Sequence, residues 1–320
     1  MISFLERPRP GGREKLERID MRAKWLRSAI GLRSVIGTVT VVTAAAAGVI
    51  GIGVGPAQAD PGCPAFYVAA IPGTWDTSEA LGRSGLLAPA VNGLPSSIRT
   101  EFVPYAATAF PWETDVYAKS KQEAVDHARA MIGAVAQQCP ETRIGLIGYS
   151  QGADAAGDLA AEIGTGLGVV APARLVAVGL ISDPRRSAGD TLIGPQVGGQ
   201  GASGPRPGGF GFVTPALRTF CASGDLYCST ADDDFVTRFA GFVAQSSDLN
   251  PANAGRYQQE AGVIVRDLVH AGGVPQLQSQ LTDQANEERA EKLAAFYRSG
   301  VHADYDYATA WLHSWLSGLS

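Results

Sequence analysis

The chain has 320 residues, of which 45% are hydrophobic and 18% charged, and a net charge of −5. That length holds one sizeable core, and the composition excludes a wholly disordered chain; the 39 glycines and 19 prolines follow no three-residue period, which excludes collagen. The charge is uneven. Residues 1–59 carry nine Lys/Arg and four Asp/Glu, so the remainder has a net charge of −10, a poor match for a phosphate backbone and a reason to expect no nucleic-acid partner.

The first 59 residues read as an export signal. Arg22, Lys24, Arg27 and Arg33 precede an uncharged run of small and apolar residues, Val35–Val54, and Ala57-Gln58-Ala59 follows as an A-x-A cleavage pattern. An uncleaved N-terminal anchor is the alternative, because about twenty apolar residues span a bilayer. The mature chain is then 60–320, secreted or held in the cell envelope or periplasm. All four cysteines (Cys63, Cys139, Cys221 and Cys228) lie beyond the cleavage point. An even count in an exported chain points to two disulfides. Cys221 and Cys228 are close enough to close a small ring, which leaves Cys63 for Cys139. Chain entropy assigns about 2 kcal/mol to the ring and about 4 kcal/mol to the long loop. There is no Cys-x-x-Cys pair, metal cluster or nucleotide loop, so neither metal nor cofactor is expected.

In chain order, four apolar runs predict strands: 65–71, 143–149, 174–181 and 217–222. They are apolar at consecutive positions, which suits strands covered on both faces of a parallel sheet. Helical periods lie between them. Lys119–Gln138 aligns Ala124, Ala128, Met131, Ile132 and Val135 on one stripe, and the Ala-rich segment 151–163 follows the second strand directly. This alternation predicts a three-layer α/β fold with right-handed crossovers. Residues 186–211, rich in glycine, predict an irregular loop. Helices are expected at 234–245, about 252–270 and 284–297, the last with Thr282 as N-cap and Gly300 as its stop. A final helix over 305–319 turns Trp311, Trp315 and Leu316 toward the core.

Gly148-Tyr149-Ser150-Gln151-Gly152 matches G-x-S-x-G between a predicted strand and a predicted helix. On such a turn the serine hydroxyl projects at the carboxyl edge of the sheet, and the N–H of Gln151 points where an oxyanion would form. The competing reading is an ordinary Gly-Ser-Gly turn. A serine nucleophile needs a histidine base. Of the four histidines, His127 and His313 fall within helices and His270 ends one. His302 lies in a short loop before the last helix, where an imidazole can turn to the sheet edge. The orienting carboxylate is assigned to Asp225, inside the Cys221–Cys228 ring; Asp183, followed by Pro184-Arg185-Arg186, better fits a structural Asp–Arg pair.

With these segments the sequence resembles the cutinase family of serine esterases. The carriers are Cys139-Pro140 with the nucleophile segment, Cys221-Ala222-Ser223-Gly224-Asp225-Leu226-Tyr227-Cys228, and His302-Ala303-Asp304-Tyr305 before a terminal helix. Cys63 is placed like the first cysteine of the family's long disulfide. The resemblance implies a cutinase-like α/β-hydrolase fold and, in Ile71-Pro72-Gly73-Thr74-Trp75, a second oxyanion donor at Thr74. The Pro-Gly-Thr-Trp form is most similar to envelope-associated cutinase-like lipases of mycolic-acid-containing actinobacteria, which implies phospholipase or thioesterase-like activity, a lipid or acyl-ester substrate and peripheral membrane or cell-envelope association. The resemblance covers roughly 60–233 and 299–320, leaving 234–298 as a helical insertion. There Phe235, Phe239, Phe242 and Val243 form either a core face or the wall of a lid. The expected activity is carboxylic ester hydrolysis by Ser150, Asp225 and His302. An acyltransferase using the same triad, a non-catalytic lipid- or glycan-binding module and a membrane-anchored scaffold are the alternatives.

Overall fold

In a computed structural model of the chain, residues 62–76, 85–248 and 250–319 are described. The expected export signal lies outside them. Among the described residues no helix is long and apolar enough to cross a membrane.

The chain runs β1 (Phe66–Ile71), α1 (Ala88–Val91), β2 (Ile98–Phe102), α2 (Tyr117–Gln138), β3 (Arg143–Tyr149), α3 (Gln151–Gly164), β4 (Leu175–Ile181), β5 (Leu217–Phe220), α4 (Phe235–Gln245), α5 (Ala254–His270), α6 (Val274–Ser279), α7 (Asp283–Ser299) and α8 (Asp306–Ser317). The five strands form one parallel sheet in the order β2-β1-β3-β4-β5. Successive side chains leave a strand on opposite faces, and here both faces are covered. Tyr67, Ala69 and Ile71 of β1 pack with Ala124, Ala128 and Ile132 of α2 and with Ala156 and Leu159 of α3. Phe66, Val68 and Ala70 face the other way, into a cluster with Leu87, Ala90 and the buried stripe Ala308, Leu312 and Leu316 of α8. This is the three-layer α/β-hydrolase architecture that the unalternating apolar runs predict.

The sheet order positions the site. From β1 the chain passes outward to the edge strand β2, then returns to the far side of β1 as β3. The order of addition reverses between β1 and β3, and the carboxyl ends of strands at such a switch point are where open α/β sheets place their sites. Thr74 follows β1 and Ser150 follows β3, so both candidate residues lie at that edge of the sheet.

Several differences from the sequence reading have local causes. Strand β2, Ile-Arg-Thr-Glu-Phe, was not expected: it is a polar edge strand that the search for apolar runs passes over. The short helices α1 and α6 were missed as well, each with a proline in its first turn. Strand β5 stops at Phe220 rather than 222, because the N–H of Ala222 donates to the hydroxyl of Tyr305 at 3.0 Å instead of to a neighbouring strand. In α8 Leu316 is fully buried, whereas Trp311 and Trp315 are only partly covered. The stripe expected on α4 divides: Phe235 and Arg238 are buried, and Val243 is exposed. Thr282 does cap α7, accepting from the N–H of Ala285, and Gly300 ends it in the left-handed region at φ 68°.

Candidate active site

Ser150 is the residue between β3 and α3, and its backbone is strained: φ is 54° and ψ −119°. A non-glycine residue there costs about 1–3 kcal/mol and persists only where its surroundings enforce it. The enforcing contacts are identifiable. The N–H of Ser150 donates to the carbonyl of Ile181 on the neighbouring strand at 2.9 Å, and its carbonyl accepts from Asp154 at 3.0 Å. The flanking glycines are required by space. A Cβ on Gly148 would overlap the carbonyl of Gly152, and one on Gly152 would overlap the carbonyls of Ile71 and Pro72.

Three candidate residues meet. His302 Nε2 lies 3.0 Å from the Ser150 hydroxyl, and His302 Nδ1 lies 3.0 Å from Asp225 Oδ2. His302 is carried by a 3₁₀ turn, Val301–Ala303, directly after the left-handed Gly300. Its backbone carbonyl accepts from the Tyr149 hydroxyl at 2.7 Å, and its ring lies 4.5 Å from that of Tyr227 and 5.2 Å from that of Tyr149. The imidazole is 25% exposed while the Asp225 side chain is fully buried. A substrate can therefore reach the histidine and not the carboxylate.

Asp225 sits inside the ring closed by the Cys221–Cys228 disulfide; Cys63 and Cys139 form the second bridge. Burial pushes its carboxyl up, but hydrogen bonds and charge from His302, with hydroxyl donors from Ser182 and Tyr305, outweigh that and hold it below the ordinary range. Oδ2 accepts from both hydroxyls at 2.6 Å, and Oδ1 accepts from the Tyr227 N–H at 3.0 Å. Burial and the charge of Asp225 push the Tyr305 phenol well up, so it remains a donor.

The two candidate oxyanion residues also come together. The Thr74 hydroxyl donates to Gln151 Oε1 at 3.3 Å, and Gln151 Nε2 donates to the carbonyls of Thr108 at 3.0 Å and Tyr117 at 3.3 Å. These bonds tie the loop after β1 to the first turn of α3, where the backbone N–H groups have no intrahelical acceptor and the helix dipole favours negative charge.

The other histidines lie elsewhere. His127 is exposed with Nδ1 2.6 Å from the Pro104 carbonyl, His270 is exposed at the end of α5, and His313 is on α8. Asp183 is a structural ion-pair residue as expected, but its partner differs. It binds Arg206 at 2.6 Å; Arg185 gives it only a backbone N–H, at 2.9 Å, and sends its guanidinium to Glu260 on α5. Sequence reasoning assigned no role to Ser182, to Tyr305 or to Phe296 of α7, which packs near Tyr227 and His302. Tyr305 belongs to the quoted histidine segment, so only its function was hidden.

The helices α4–α7 do not displace this site. Arg238 on α4 pairs with Asp267 on α5 at 2.9 Å, and Arg256 on α5 reaches Asp158 on α3 at 3.3 Å. The Gln245 side chain bonds Lys121 and Asp154, fastening the end of α4 to α2 and α3.

Known proteins bear on this arrangement. A family model described as Cutinase matches residues 63–247, ending before α5–α7 and before His302. The chain is 28% identical to a carboxylesterase Culp6 homolog of Corynebacterium glutamicum, over 54% of this chain and 67% of that protein. It is 29% identical to Cutinase 11 of Verticillium dahliae, over 50% of this chain and about half (53%) of that relative's length. Among solved structures, the catalytic core of acetyl xylan esterase from Trichoderma reesei aligns with a TM-score of 0.44 and 24% identity, covering 64% of this chain and 98% of that one. Lysin B from Mycobacteriophage D29 aligns with a TM-score of 0.46 and 20% identity, covering 65% and 91%. With more than half of its length matched by the family model, this chain belongs to the cutinase family of carboxylic ester hydrolases.

Proposed function

We propose that the protein is an exported serine esterase that hydrolyses lipid-like carboxylic esters or thioesters through an acyl-enzyme, with Ser150 as nucleophile, His302 as base and Asp225 as its orienting partner. The observation that carries this reading is the unbroken pair of contacts, 3.0 Å from Ser150 Oγ to His302 Nε2 and 3.0 Å from Nδ1 to Asp225 Oδ2. As Oγ attacks the acyl carbon, Nε2 takes its proton. Backbone N–H groups of Gln151 and Thr74 receive the oxyanion, each worth about 3 kcal/mol of barrier. The acyl carbon then loses its alcohol or thiol, which takes the proton back from Nε2. Water repeats the sequence on the acyl-enzyme and frees the acid.

Two features support an apolar acyl group. The loop after Thr74 and the loop before α2 together expose Trp75, Phe110 and Trp112. Phe110 and Trp112 are stacked, parallel within 3° at 4.7 Å between ring centres, and the Phe110 and Trp75 rings lie 6.1 Å apart. Glu113 orders the ladder, accepting from Trp75 Nε1 at 2.6 Å and from the N–H groups of Ala109 and Phe110. Exposed aromatic rings beside an active site favour contact with lipid. Beside the histidine, Phe296 and Tyr297 of α7 stand against Tyr227, with the two tyrosine hydroxyls 3.1 Å apart. In this reading α7, the last helix of segment 234–298, forms a docked cover on the histidine side of the site. Two disulfides fit an oxidising, extracellular setting.

The test is a chain-length series of p-nitrophenyl acyl esters with wild type and Ser150→Ala. Activity should rise from acetyl to longer acyl groups and vanish in the variant. A variant that folds and retains turnover refutes the assignment of Ser150; a preference for acetyl alone refutes the lipid-like substrate.

A further inference from the structure

The bend after β4 repeats the bend after β3. Ser182 is fully buried and has φ 52°, beside 54° at Ser150. The two bends are hydrogen-bonded in series: Ser150 N–H donates to Ile181, the residue before Ser182, and Ser182 N–H donates to the Phe220 carbonyl at 2.8 Å. A buried serine held in the left-handed region, where glycine would sit without strain, needs an explanation in its side chain.

The hydroxyl supplies one. Ser182 Oγ is 2.6 Å from Asp225 Oδ2 and 3.1 Å from His302 Nδ1. A serine has one proton and two lone pairs. Because Asp225 is held as a carboxylate and can only accept, the Ser182 proton goes to Oδ2. A lone pair then faces Nδ1, so the Nδ1 proton has two acceptors, Oδ2 and Ser182 Oγ. The tautomer with a bare Nδ1 would set a lone pair against both. The bare nitrogen is therefore Nε2, the one facing Ser150.

We propose that Ser182 is a positioning residue of the hydrolytic reaction, which holds the Asp225 carboxylate and locks His302 in the tautomer whose Nε2 accepts the Ser150 proton. The inference rests on the reading of Ser150, Asp225 and His302 as the reacting relay.

The surrounding structure is built to keep Ser182 in place. Its neighbour Asp183 is bound by two nitrogens of Arg206, at 2.6 and 3.2 Å. The same guanidinium donates to the backbone carbonyl of Asp154, one turn into α3 from Ser150, at 2.8 Å. One buried cation thus brackets both bends. Gly157 leaves room for it, since a Cβ there would overlap the guanidinium.

Two variants of the full chain separate this role from a structural one. Ser182→Ala removes the hydroxyl and keeps the strain; Ser182→Gly removes the hydroxyl and relieves the strain. Kinetics on p-nitrophenyl butyrate, thermal melting and the proton NMR signal of the His302 Nδ1–H are read for both, with Ser150→Ala as control. One hydrogen bond to a charged group predicts about a tenfold fall in kcat for both variants. KM should stay within twofold, the Nδ1–H signal should shift or broaden, and the Gly chain should melt no lower than the Ala chain. Normal kcat in both variants, or a loss in Ala that Gly restores, overturns the proposal and leaves the relay standing. Turnover by a folded Ser150→Ala chain overturns the relay and this inference together.

Discussion

Replacing Arg206 by methionine keeps roughly the side-chain volume and deletes one charge from the most heavily paired part of the interior. The guanidinium contacts Asp183 at 2.6 Å, Asp158 at 2.9 Å and Asp154 at 3.3 Å, and it is 4% exposed. The three acids do not depend on it equally. Asp158 keeps Lys121 at 2.8 Å and Arg256 at 3.3 Å, and Asp154 keeps Lys121, Tyr117 and Gln245. Asp183 is left with the N–H of Arg185 alone among these donors. Its carboxyl is already pushed up by burial, with Arg206 opposing that rise. Breaking a buried pair by removing one partner costs about 3–5 kcal/mol, and that is the expected loss at neutral pH. The sign of the pH dependence follows. Without Arg206 the folded-state pKa of Asp183 rises further above its unfolded value. Over that interval the native state binds a proton that the unfolded chain releases, so the variant recovers stability as pH falls toward the ordinary aspartate range. Urea unfolding at pH 7.5 and pH 5.5 measures both quantities. A deficit below about 1 kcal/mol, or one that is the same at both pH values, refutes the reasoning.

Asp190 gives a second pH signature: burial pushes its carboxyl up to about 6, only partly offset by the N–H of Ser187. Asp190→Asn should therefore be neutral near pH 3.5 and stabilising above pH 6, by about 1–3 kcal/mol, in unfolding curves taken across that window. Gly152→Ala forces a methyl into the carbonyls of Ile71 and Pro72; we expect a loss above 2 kcal/mol by denaturant titration together with loss of esterase activity, and a stable, active variant contradicts the packing argument. Removing the Cys221–Cys228 bridge by Cys→Ser at both positions should cost about 2 kcal/mol and lower kcat more than it raises KM, because the ring holds Asp225; unchanged kcat would show that the ring is not needed there.

Much of this arrangement is legible in the sequence where local chemistry marks it. Gly148-Tyr149-Ser150-Gln151-Gly152 carries its own geometry, since its two glycines leave the space that this sharp strand-to-helix turn requires. The Cys221–Cys228 spacing singles out Asp225, and the stop at Gly300 frees His302 from the helix before it. What stays hidden is set by partners distant along the chain. Ser182 gains its meaning from Asp225 and His302, and nothing at positions 181–184 announces that its hydroxyl meets them. Arg206 lies in a glycine-rich segment whose composition signals only irregular backbone, yet its three carboxylates come from α3 and the end of β4. The insertion hides its purpose for the same reason: Phe296 reads as one apolar residue on a highly charged helix until Tyr227 and His302 are beside it.

The central claim, a nucleophilic Ser150 activated by His302, is tested most directly by reaction with an alkyl fluorophosphonate followed by mass spectrometry of the digested protein. The account predicts a single adduct on the peptide bearing Ser150 in the wild-type chain, greatly slowed in His302→Ala and absent in Ser150→Ala. An adduct on another residue, or labelling that proceeds as fast without the imidazole, would contradict it.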